Sequence, residues 1–206
     1  MEFEYANSRV YLVDDDPDVL DSLIVLIKVT GLKTVSFESA VDFLDGYCSE
    51  QPSCLVLDIQ MPLMGGLELQ QELSKRSINI PIIFISGNAE IPDAVKALKA
   101  GAVDFLEKPF EPNKLIEGIL SAIRKDIKNR EERIEKEKIK ELFSSLSARE
   151  KEVLQLIISN HSSKQAAKQL DVSHRTIEAH RARIMEKMQA VSTTELVALA
   201  VKHTLI

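Results

Sequence analysis

Three aspartates in this sequence stand directly after short apolar runs that have the length of buried β-strands. Asp14 and Asp15 follow the run Val10–Val13, and Asp58 follows Cys54–Leu57. In an open parallel sheet the carboxyl ends of the strands meet at one edge, and ligands bind there where the strand order reverses. We therefore expect the three carboxylates to share one crevice between the first and third strands, which should be neighbours.

Three carboxylates in one crevice predict a site for a hard divalent cation. The like charges repel one another, and Mg²⁺ (or Mn²⁺) held by oxygen ligands would relieve that repulsion. Such an ion would hold a phosphoryl donor against a carboxylate, which can act as the nucleophile. Ser86 ends the fourth apolar run and Lys108 follows the fifth, so both should reach the same edge. We expect Lys108 to pair with Asp58 and then, with Ser86, to contact an added phosphoryl group.

Each of these residues has an ordinary structural interpretation when it is taken alone. An aspartate after a strand is often a helix N-cap, the role that we expect for Asp16 or Asp18, and a single lysine can simply lie on the surface. The complete set is different, because its members end strands that meet at one face of the sheet. The convergence of all of them therefore favours a phosphoryl-accepting site.

Two other classes of α/β site fit these residues poorly. A nucleotide-binding domain needs a glycine-rich loop after its first strand to cradle phosphate, whereas this loop is acidic. An aspartyl-phosphate hydrolase uses a second aspartate two residues after its nucleophile, where this chain has Gln60. Repeated phosphatase turnover is therefore not expected, and we do not predict an enzyme.

Apolar runs alternate with helical patterns through the first part of the chain. Five such repeats predict a five-stranded parallel sheet with helices on both faces, the doubly wound α/β arrangement of flavodoxin-like domains. The runs are Val10–Val13, Thr34–Phe37, Cys54–Leu57, Ile80–Ile85 and Val103–Leu106. The helical patterns between them lie around 19–29, 40–44, 67–73 and 94–99.

The rest of the chain contains neither glycine nor proline, since all seven of each fall at or before Gly118. Strands joined by tight turns need those residues, so this part is predicted to be all-α. One long helix is expected from about Pro112 to Leu142. Four shorter helices should follow at about 148–159, 163–170, 174–189 and 193–203, opened by the N-caps Ser147, Ser162, Ser173 and Ser192. The predicted organisation is a phosphoacceptor domain over 1–125, a helical linker over 126–143 and a helix-turn-helix domain over 144–206.

The two halves differ in charge. Residues 1–126 carry 11 Lys and Arg against 21 Asp and Glu, a net charge of −10, and the remaining residues carry 15 against 11, a net charge of +4. A basic half indicates a polyanionic partner.

The helix expected at about 174–189 has one buried and one free face. Ile177, Ile184 and Met188 form its buried stripe, so the opposite face is free to contact DNA. The predicted DNA contacts are Lys164, Arg175, Thr176, Glu178, Ala179, Arg181, Ala182 and Lys187. Composition alone leaves a plain helical domain as an equal alternative.

The first half resembles the receiver domain of bacterial response regulators over residues 8–125. The motifs that carry the resemblance are Leu12-Val13-Asp14-Asp15-Asp16, the stretch from Leu57 to Gly66 (LDIQMPLMGG), and the stretch from Lys99 to Phe110 (KAGAVDFLEKPF). The resemblance implies that Asp58 is the phosphoacceptor and that a sensor histidine kinase is the donor. It implies that Asp14, Asp15, Asp58 and the backbone carbonyl of Gln60 bind Mg²⁺, that Ser86 and Lys108 contact the phosphoryl group, and that Phe105 is a rotating switch aromatic. Pairing of two copies is expected through the face around 94–105.

The second half resembles a LuxR-type helix-turn-helix over residues 146–206. The matching residues are Leu146-Ser147-Ala148-Arg149-Glu150 and Thr176-Ile177-Glu178-Ala179-His180-Arg181. Behind a receiver, this is the order of FixJ-like and NarL-like regulators. The resemblance implies a recognition helix in the major groove of paired half-sites, a dimer through the last helix around 193–203, and a structural or phosphate-facing His180. Some relatives have lysine where this chain has Glu178 and Ala182, so their base preferences do not carry over.

These resemblances together predict a DNA-binding response regulator. Phosphorylation by the kinase would drive formation of a homodimer that regulates, and more specifically activates, transcription, with RNA polymerase as a further partner. The alternative is a receiver that acts mainly through protein contacts, with weak or constitutive DNA binding.

The stretch after the fourth strand, which we call loop 4, differs from that of many relatives. It is Ser86-Gly87-Asn88-Ala89-Glu90, where they have threonine first and histidine two positions later.

The location of the protein is predicted from absences in the sequence. No apolar run approaches the roughly 20 residues of a membrane span, and residues 1–9 lack the pattern of an export signal. Cys48 and Cys54 lack metal-ligand spacing. We expect a reduced cytoplasmic protein with no membrane partner.

Overall fold

The computed structural model describes residues 5, 7–48, 50–87, 91–203 and 205. The chain divides into two compact units, Met1–Arg130 and Glu131–Ile206. Helix α5 runs from Pro112 to Ser144, so its first part belongs to one unit and its last part to the other.

The first unit contains a five-stranded sheet whose described pairings are all parallel. The strands are β1 (Arg9–Val13), β2 (Lys33–Phe37), β3 (Ser53–Asp58), β4 (Ile82–Ser86) and β5 (Asp104–Glu107). Their order is β2-β1-β3-β4-β5. The predicted fold class is confirmed, and β1 and β3 are neighbours as expected.

Four helices and the first part of α5 cover the two faces of this sheet. The helices are α1 (Pro17–Lys28), α2 (Ala40–Gly46), α3 (Gly66–Lys75) and α4 (Ile91–Lys99). Successive side chains of a strand point to opposite faces of the sheet, so each strand contributes side chains to two hydrophobic cores. One core joins Leu12 and Val56 to residues of α1 and α5, such as Leu23 and Ile119. The other joins the alternate strand residues to α2, α3 and α4.

Strand β3 has the most protected position in the sheet. All six of its residues are buried, because it lies between β1 and β4 and is covered on both faces. The register pairs Val13 with Leu57, so the residues that follow these two, Asp14 and Asp58, emerge side by side. The packing of an apolar strand therefore fixes where two acidic side chains lie.

The second unit is helical throughout the part that the structure describes. The end of α5 is followed by α6 (Ala148–Ile158), α7 (Ser163–Gln169), α8 (His174–Lys187) and α9 (Thr193–Lys202). Their common core includes Val153, Ile177 and Leu196, and Ile139 of α5 is buried in it as well. The last turns of the predicted linker helix thus pack within the second unit.

The four predicted N-caps all open helices. Ser147 and Ser162 form reciprocal capping boxes with Glu150 and Gln165. Ser173 accepts from the amide of Thr176. In the fourth, Ser192 accepts from the amide of Glu195, but the Glu195 carboxylate accepts from Val191 instead of from the cap residue. The reciprocal hydrogen bond of a capping box, from the Ser192 amide to the Glu195 carboxylate, is therefore replaced by one from the Val191 amide.

Left-handed turns between these helices are made without glycine. Asn160, Asp171 and Gln189 have φ values of 59°, 51° and 53° and follow α6, α7 and α8. Asparagine and aspartate tolerate this region better than other side chains, because they can hydrogen-bond locally. The Asp171 turn joins α7 to α8 as a helix-turn-helix pair.

In the described residues, no helix is both long and apolar enough to cross a membrane.

Candidate functional site

Two buried carboxylates and one ammonium meet at the carboxyl edge of the sheet. Asp14 and Asp58 are only 2% and 6% exposed. The Nζ of Lys108 donates to Asp14 Oδ2 at 2.7 Å and to Asp58 Oδ1 at 2.8 Å. Lys108 follows β5, at the far edge of the sheet, so three separate strands supply these groups. The predicted contact between Lys108 and Asp58 is present, and Asp14 shares it.

Backbone amides hold the remaining oxygens of the two carboxylates. Asp14 Oδ1 accepts from the amide of Asp16 at 3.0 Å, and Asp58 Oδ2 accepts from the amide of Gln60 at 2.6 Å. Asp16 in turn caps α1 by accepting from Asp18, as predicted. Each carboxylate is therefore oriented by its own loop before any ligand binds.

The electrostatic environment of this pocket has one negative charge in excess. Burial raises the pKa of Asp58, the neighbouring charge of Asp14 adds to the rise, and hydrogen bonds from Lys108 and Gln60 oppose it. Burial alone would lower the pKa of Lys108, but its hydrogen bonds to Asp14 and Asp58 raise that pKa above its ordinary value. Lys108 thus stays charged while it is shared between two carboxylates.

Asp15 differs from the other two aspartates in its exposure. Its side chain is exposed. Among the described residues, no three histidine, cysteine or acidic side chains are grouped closely enough to hold a metal ion. The oxygen donors present, two buried carboxylates of fixed orientation, suit Mg²⁺ in kind. Asp14 and Asp58 form a two-carboxylate site with the Lys108 ammonium between them, and the metal-binding role of Asp15 stays a prediction.

Of the two predicted switch residues, Ser86 lies at this edge and Phe105 lies within β5. Ser86 is buried at the end of β4, and its carbonyl accepts from the amide of Lys108 at 2.7 Å. Phe105 is partly buried on β5, and its ring centroid lies 6.5 Å from that of Phe84. Residues 88–90 belong to loop 4, whose sequence differs from that of many relatives, and they lie outside the described residues.

Gly66 is a positioning residue that the sequence interpretation missed. A Cβ added there would collide with the backbone carbonyl of Asp58. The Gly66 amide also donates to the carbonyl of Ile59 at 2.9 Å, which folds the loop back onto the end of β3. The paired glycines at 65 and 66, just before a helical pattern, were the available signal for this close approach.

The exposed face of α8 carries most of the predicted DNA contacts. Ile177, Ile184 and Met188 are buried, as the stripe predicts. The exposed residues of the predicted set are Lys164, Arg175, Glu178, Ala179 and Ala182. Thr176 and Arg181 are partly exposed, and Arg181 donates to the hydroxyl of Thr193 at 3.1 Å. The first three turns of α8 thus present a polar surface with small residues in it.

Lys187 is held differently from the other predicted contacts. Its Nζ donates to Glu150 Oε2 at 2.7 Å and to the carbonyl of Ser145 at 3.2 Å. Glu150 is 3% exposed. The structure thus gives Lys187 internal partners, and we leave it out of the candidate DNA surface. His180 is only partly exposed, and its role, structural or phosphate-facing, stays a prediction.

Comparison with known proteins identifies both units. Residues 10–120 match the family model of the response regulator receiver domain, and residues 144–200 match that of bacterial regulatory proteins of the luxR family. The chain is 42% identical over 190 residues to the response regulator protein TmoT of Ectopseudomonas mendocina, covering 92% of this chain and 86% of TmoT. It is 40% identical over 197 residues to the transcriptional regulatory protein FixJ of Bradyrhizobium diazoefficiens, covering 96% of each.

A solved structure of similar organisation supports the same assignment. The response regulator StyR is 41% identical, has a TM-score of 0.88, and is matched over 96% of this chain and 100% of its own. The fold and the paired acidic site define a receiver joined to a LuxR-type DNA-binding domain. The chain belongs to the response regulator family of two-component systems, as the sequence resemblance indicated.

Proposed function

We propose that Asp58 accepts a phosphoryl group from a sensor histidine kinase and that this event controls DNA binding by the second unit. The observation that carries the proposal is the placement of Lys108 between Asp14 and Asp58 at the end of three strands. A buried carboxylate with an ammonium at its oxygen is a suitable acceptor, because the same ammonium can then neutralise a phosphoryl oxygen.

The residues of the pocket have distinct roles in this reaction. An oxygen of Asp58 attacks phosphorus, the bond from phosphorus to the donor nitrogen breaks, and the imidazole leaves with the electron pair. Mg²⁺, held by Asp14, Asp58 and the carbonyl of Gln60 with Asp15 in support, would neutralise charge on the transferred group. Lys108 and the Ser86 hydroxyl bind the phosphoryl oxygens afterwards. The chain takes up one phosphoryl group and is not a turnover enzyme.

The response to phosphorylation is proposed to be dimer formation through α4 and β5. Support comes from α4, whose Ile91, Val95 and Leu98 are exposed apolar residues. Phe105 of β5 packs beside Phe84 on the adjacent strand, and we assign to its rotation the transmission of the change from the pocket to this region. The dimer would place two α8 helices on paired half-sites in the major groove and recruit RNA polymerase to activate transcription.

The phosphorylation step is tested with purified protein, acetyl phosphate and Mg²⁺. Intact-protein mass spectrometry should show one added phosphoryl group on the wild type and none on Asp58→Asn. Asp45→Asn is the matched control, because Asp45 is an exposed aspartate on α2 and has the same change in charge. Stoichiometric uptake by Asp58→Asn would refute the assignment, and removal of Mg²⁺ with a chelator should abolish uptake by the wild type.

The DNA-binding step is tested with duplexes selected from a random pool on the phosphorylated protein. Arg181→Ala should weaken binding about ten-fold or more, as expected for loss of one base or phosphate contact. Arg133→Ala, an exposed arginine of α5, is the control and should bind as the wild type does. Affinity should fall steeply with salt. Weak binding that neither salt nor phosphorylation changes would favour the alternative, a receiver acting through protein contacts.

A further inference from the structure

The end of the recognition helix α8 is fastened to the start of α6 by one side chain. Lys187 is the last residue of α8. Its ammonium reaches the carbonyl of Ser145, directly after α5, and the carboxylate of Glu150, in the first turn of α6. Three helices therefore meet at a single cation. A lysine at a helix C-terminus is also favoured by the helix dipole, so its charge suits this position.

Both contacts of the Glu150 carboxylate fall on the same oxygen. Its Oε2 accepts from the Ser147 amide at 2.8 Å as well as from Lys187 at 2.7 Å. These two hydrogen bonds lower the pKa of Glu150 to about 2, so the carboxylate is charged under all ordinary conditions. If Lys187 turned outward to a DNA phosphate, it would leave a charged carboxylate buried without its cation.

We propose that Lys187 is a positioning residue for DNA binding: by holding Glu150 and the Ser145 carbonyl, it sets how α8 is presented to the groove. The reading surface of Arg175, Glu178 and Arg181 lies on the earlier turns of the same helix. Bonds from its last residue to α6 and to the end of α5 restrict how far α8 can tilt or slide, and the side chains near its start are held in place with it. This inference rests on the proposed DNA-binding function.

The sign of one substitution separates positioning from electrostatics. Glu150→Gln removes a negative charge, so a purely electrostatic effect would strengthen DNA binding. If Lys187 acts through Glu150, the variant should bind about ten-fold more weakly instead. Glu186→Gln is the matched control, because Glu186 is an exposed neighbour of Lys187 on α8 and its loss changes the net charge equally. That control should bind as tightly as the wild type or slightly more so.

Salt dependence separates positioning from direct phosphate contact. Lys187→Met should weaken binding about ten-fold while the slope of log affinity against log salt stays that of the wild type. A direct contact would reduce the slope by about 0.9. Lys187→Arg keeps the cation and should restore most of the affinity. Lys138→Met, an exposed lysine of α5, controls for net charge. A merely structural role would lower the melting temperature and leave the affinity of the folded protein unchanged.

A measurement without DNA keeps this inference separate from the proposed function. Hydrogen exchange of the amides in the last two turns of α8 should be faster in Lys187→Met and in Glu150→Gln, and unchanged in Glu186→Gln. Unchanged exchange in both variants would overturn the inference even if the wild type binds DNA. Faster exchange with no DNA binding by the wild type would refute the proposed function instead. A reduced salt slope for Lys187→Met, or tighter binding by Glu150→Gln, would also overturn it.

Discussion

Each unit of the chain contains a lysine held by buried carboxylate, and the two arrangements differ in charge balance. In the first unit, Lys108 serves two carboxylates, Asp14 and Asp58. In the second, Lys187 serves one, Glu150. The pKa of Asp58 is raised, mainly by burial, whereas the pKa of Glu150 is lowered to about 2 by its hydrogen bonds.

This difference shows how similar ion pairs can serve different ends. A pair with equal charges on both sides can only hold elements together, as Lys187 and Glu150 hold the end of α8 to the start of α6. A site with one more carboxylate than cations has an excess negative charge, which a divalent ion can neutralise. The surplus carboxylate, and not the presence of an ion pair, is the mark of the reactive site. Four substitutions test this view, from the largest expected effect to the smallest.

Lys108→Met should have the largest effect on stability. It leaves Asp14 and Asp58 buried together without a cation, and loss of one partner from a buried pair costs roughly 3–5 kcal/mol. Urea unfolding at neutral pH measures the change. Millimolar Mg²⁺ should recover more stability in the variant than in the wild type, because the ion then supplies the missing charge. Equal stability of the two proteins without Mg²⁺ would contradict the charge imbalance.

Glu150→Gln should cost roughly 1.5–3 kcal/mol at neutral pH, since it weakens hydrogen bonds between charged groups. The folded-state pKa of Glu150 is depressed, so its contribution is present above the unfolded-state pKa near 4.5 and is lost as the pH falls through about 2. The wild type and the variant should therefore differ most above pH 5 and converge toward pH 2. Thermal unfolding across this range measures it, and a constant difference would be contrary to the expectation.

Gly66→Ala should destabilise the first unit by roughly 1–3 kcal/mol, because the new methyl group must displace the Asp58 carbonyl or the start of α3. Gly87→Ala is the control, since a Cβ there meets no atom of the described residues within 4 Å. This comparison asks whether the pocket depends on geometry as well as on charge. If both variants unfold at the same urea concentration, the close approach at Gly66 has no energetic weight.

Glu135→Gln should have the smallest effect. Glu135 binds Lys202 at 2.7 Å, but both side chains are largely exposed, so salt and water screen the pair. A slight fall in the unfolding midpoint is expected at low salt, and it should vanish at high salt. A salt-independent loss comparable to that of Glu150→Gln would show that burial is not what separates the two pairs.

The sequence predicted the sheet and the helices closely, for a definite physical reason. Apolar runs such as Cys54–Leu57 can be buried on both faces only inside a parallel sheet, and serine caps such as Ser147 mark helix starts locally. The convergence of Asp14, Asp58 and Lys108 followed from strand order alone.

The features of the site that the sequence did not predict depend on side-chain conformation and on close approach between parts of the chain. No periodicity fixes how exposed the side chain of Asp15 is, and the contact behind Gly66 exists only in three dimensions. Lys187 has the spacing of a surface residue on α8. Its partner Glu150 lies 37 residues earlier, so neither residue reveals the pair by itself. Predictions of DNA contacts from one helix therefore include residues that hold that helix in place.

The position of Lys108 after the last strand has a consequence for how the chain is made. Synthesis supplies Asp14 and Asp58 well before Lys108, because β5 follows the strands that carry the aspartates. A nascent chain or refolding intermediate that pairs β1 with β3 before β5 docks buries two carboxylates without their counter-ion. That partial sheet is penalised at neutral pH and gains stability when β5 arrives. We therefore expect the acidic pocket to make the receiver fold more cooperatively, because pairing of β1 with β3 is fully stabilised only after β5 has docked.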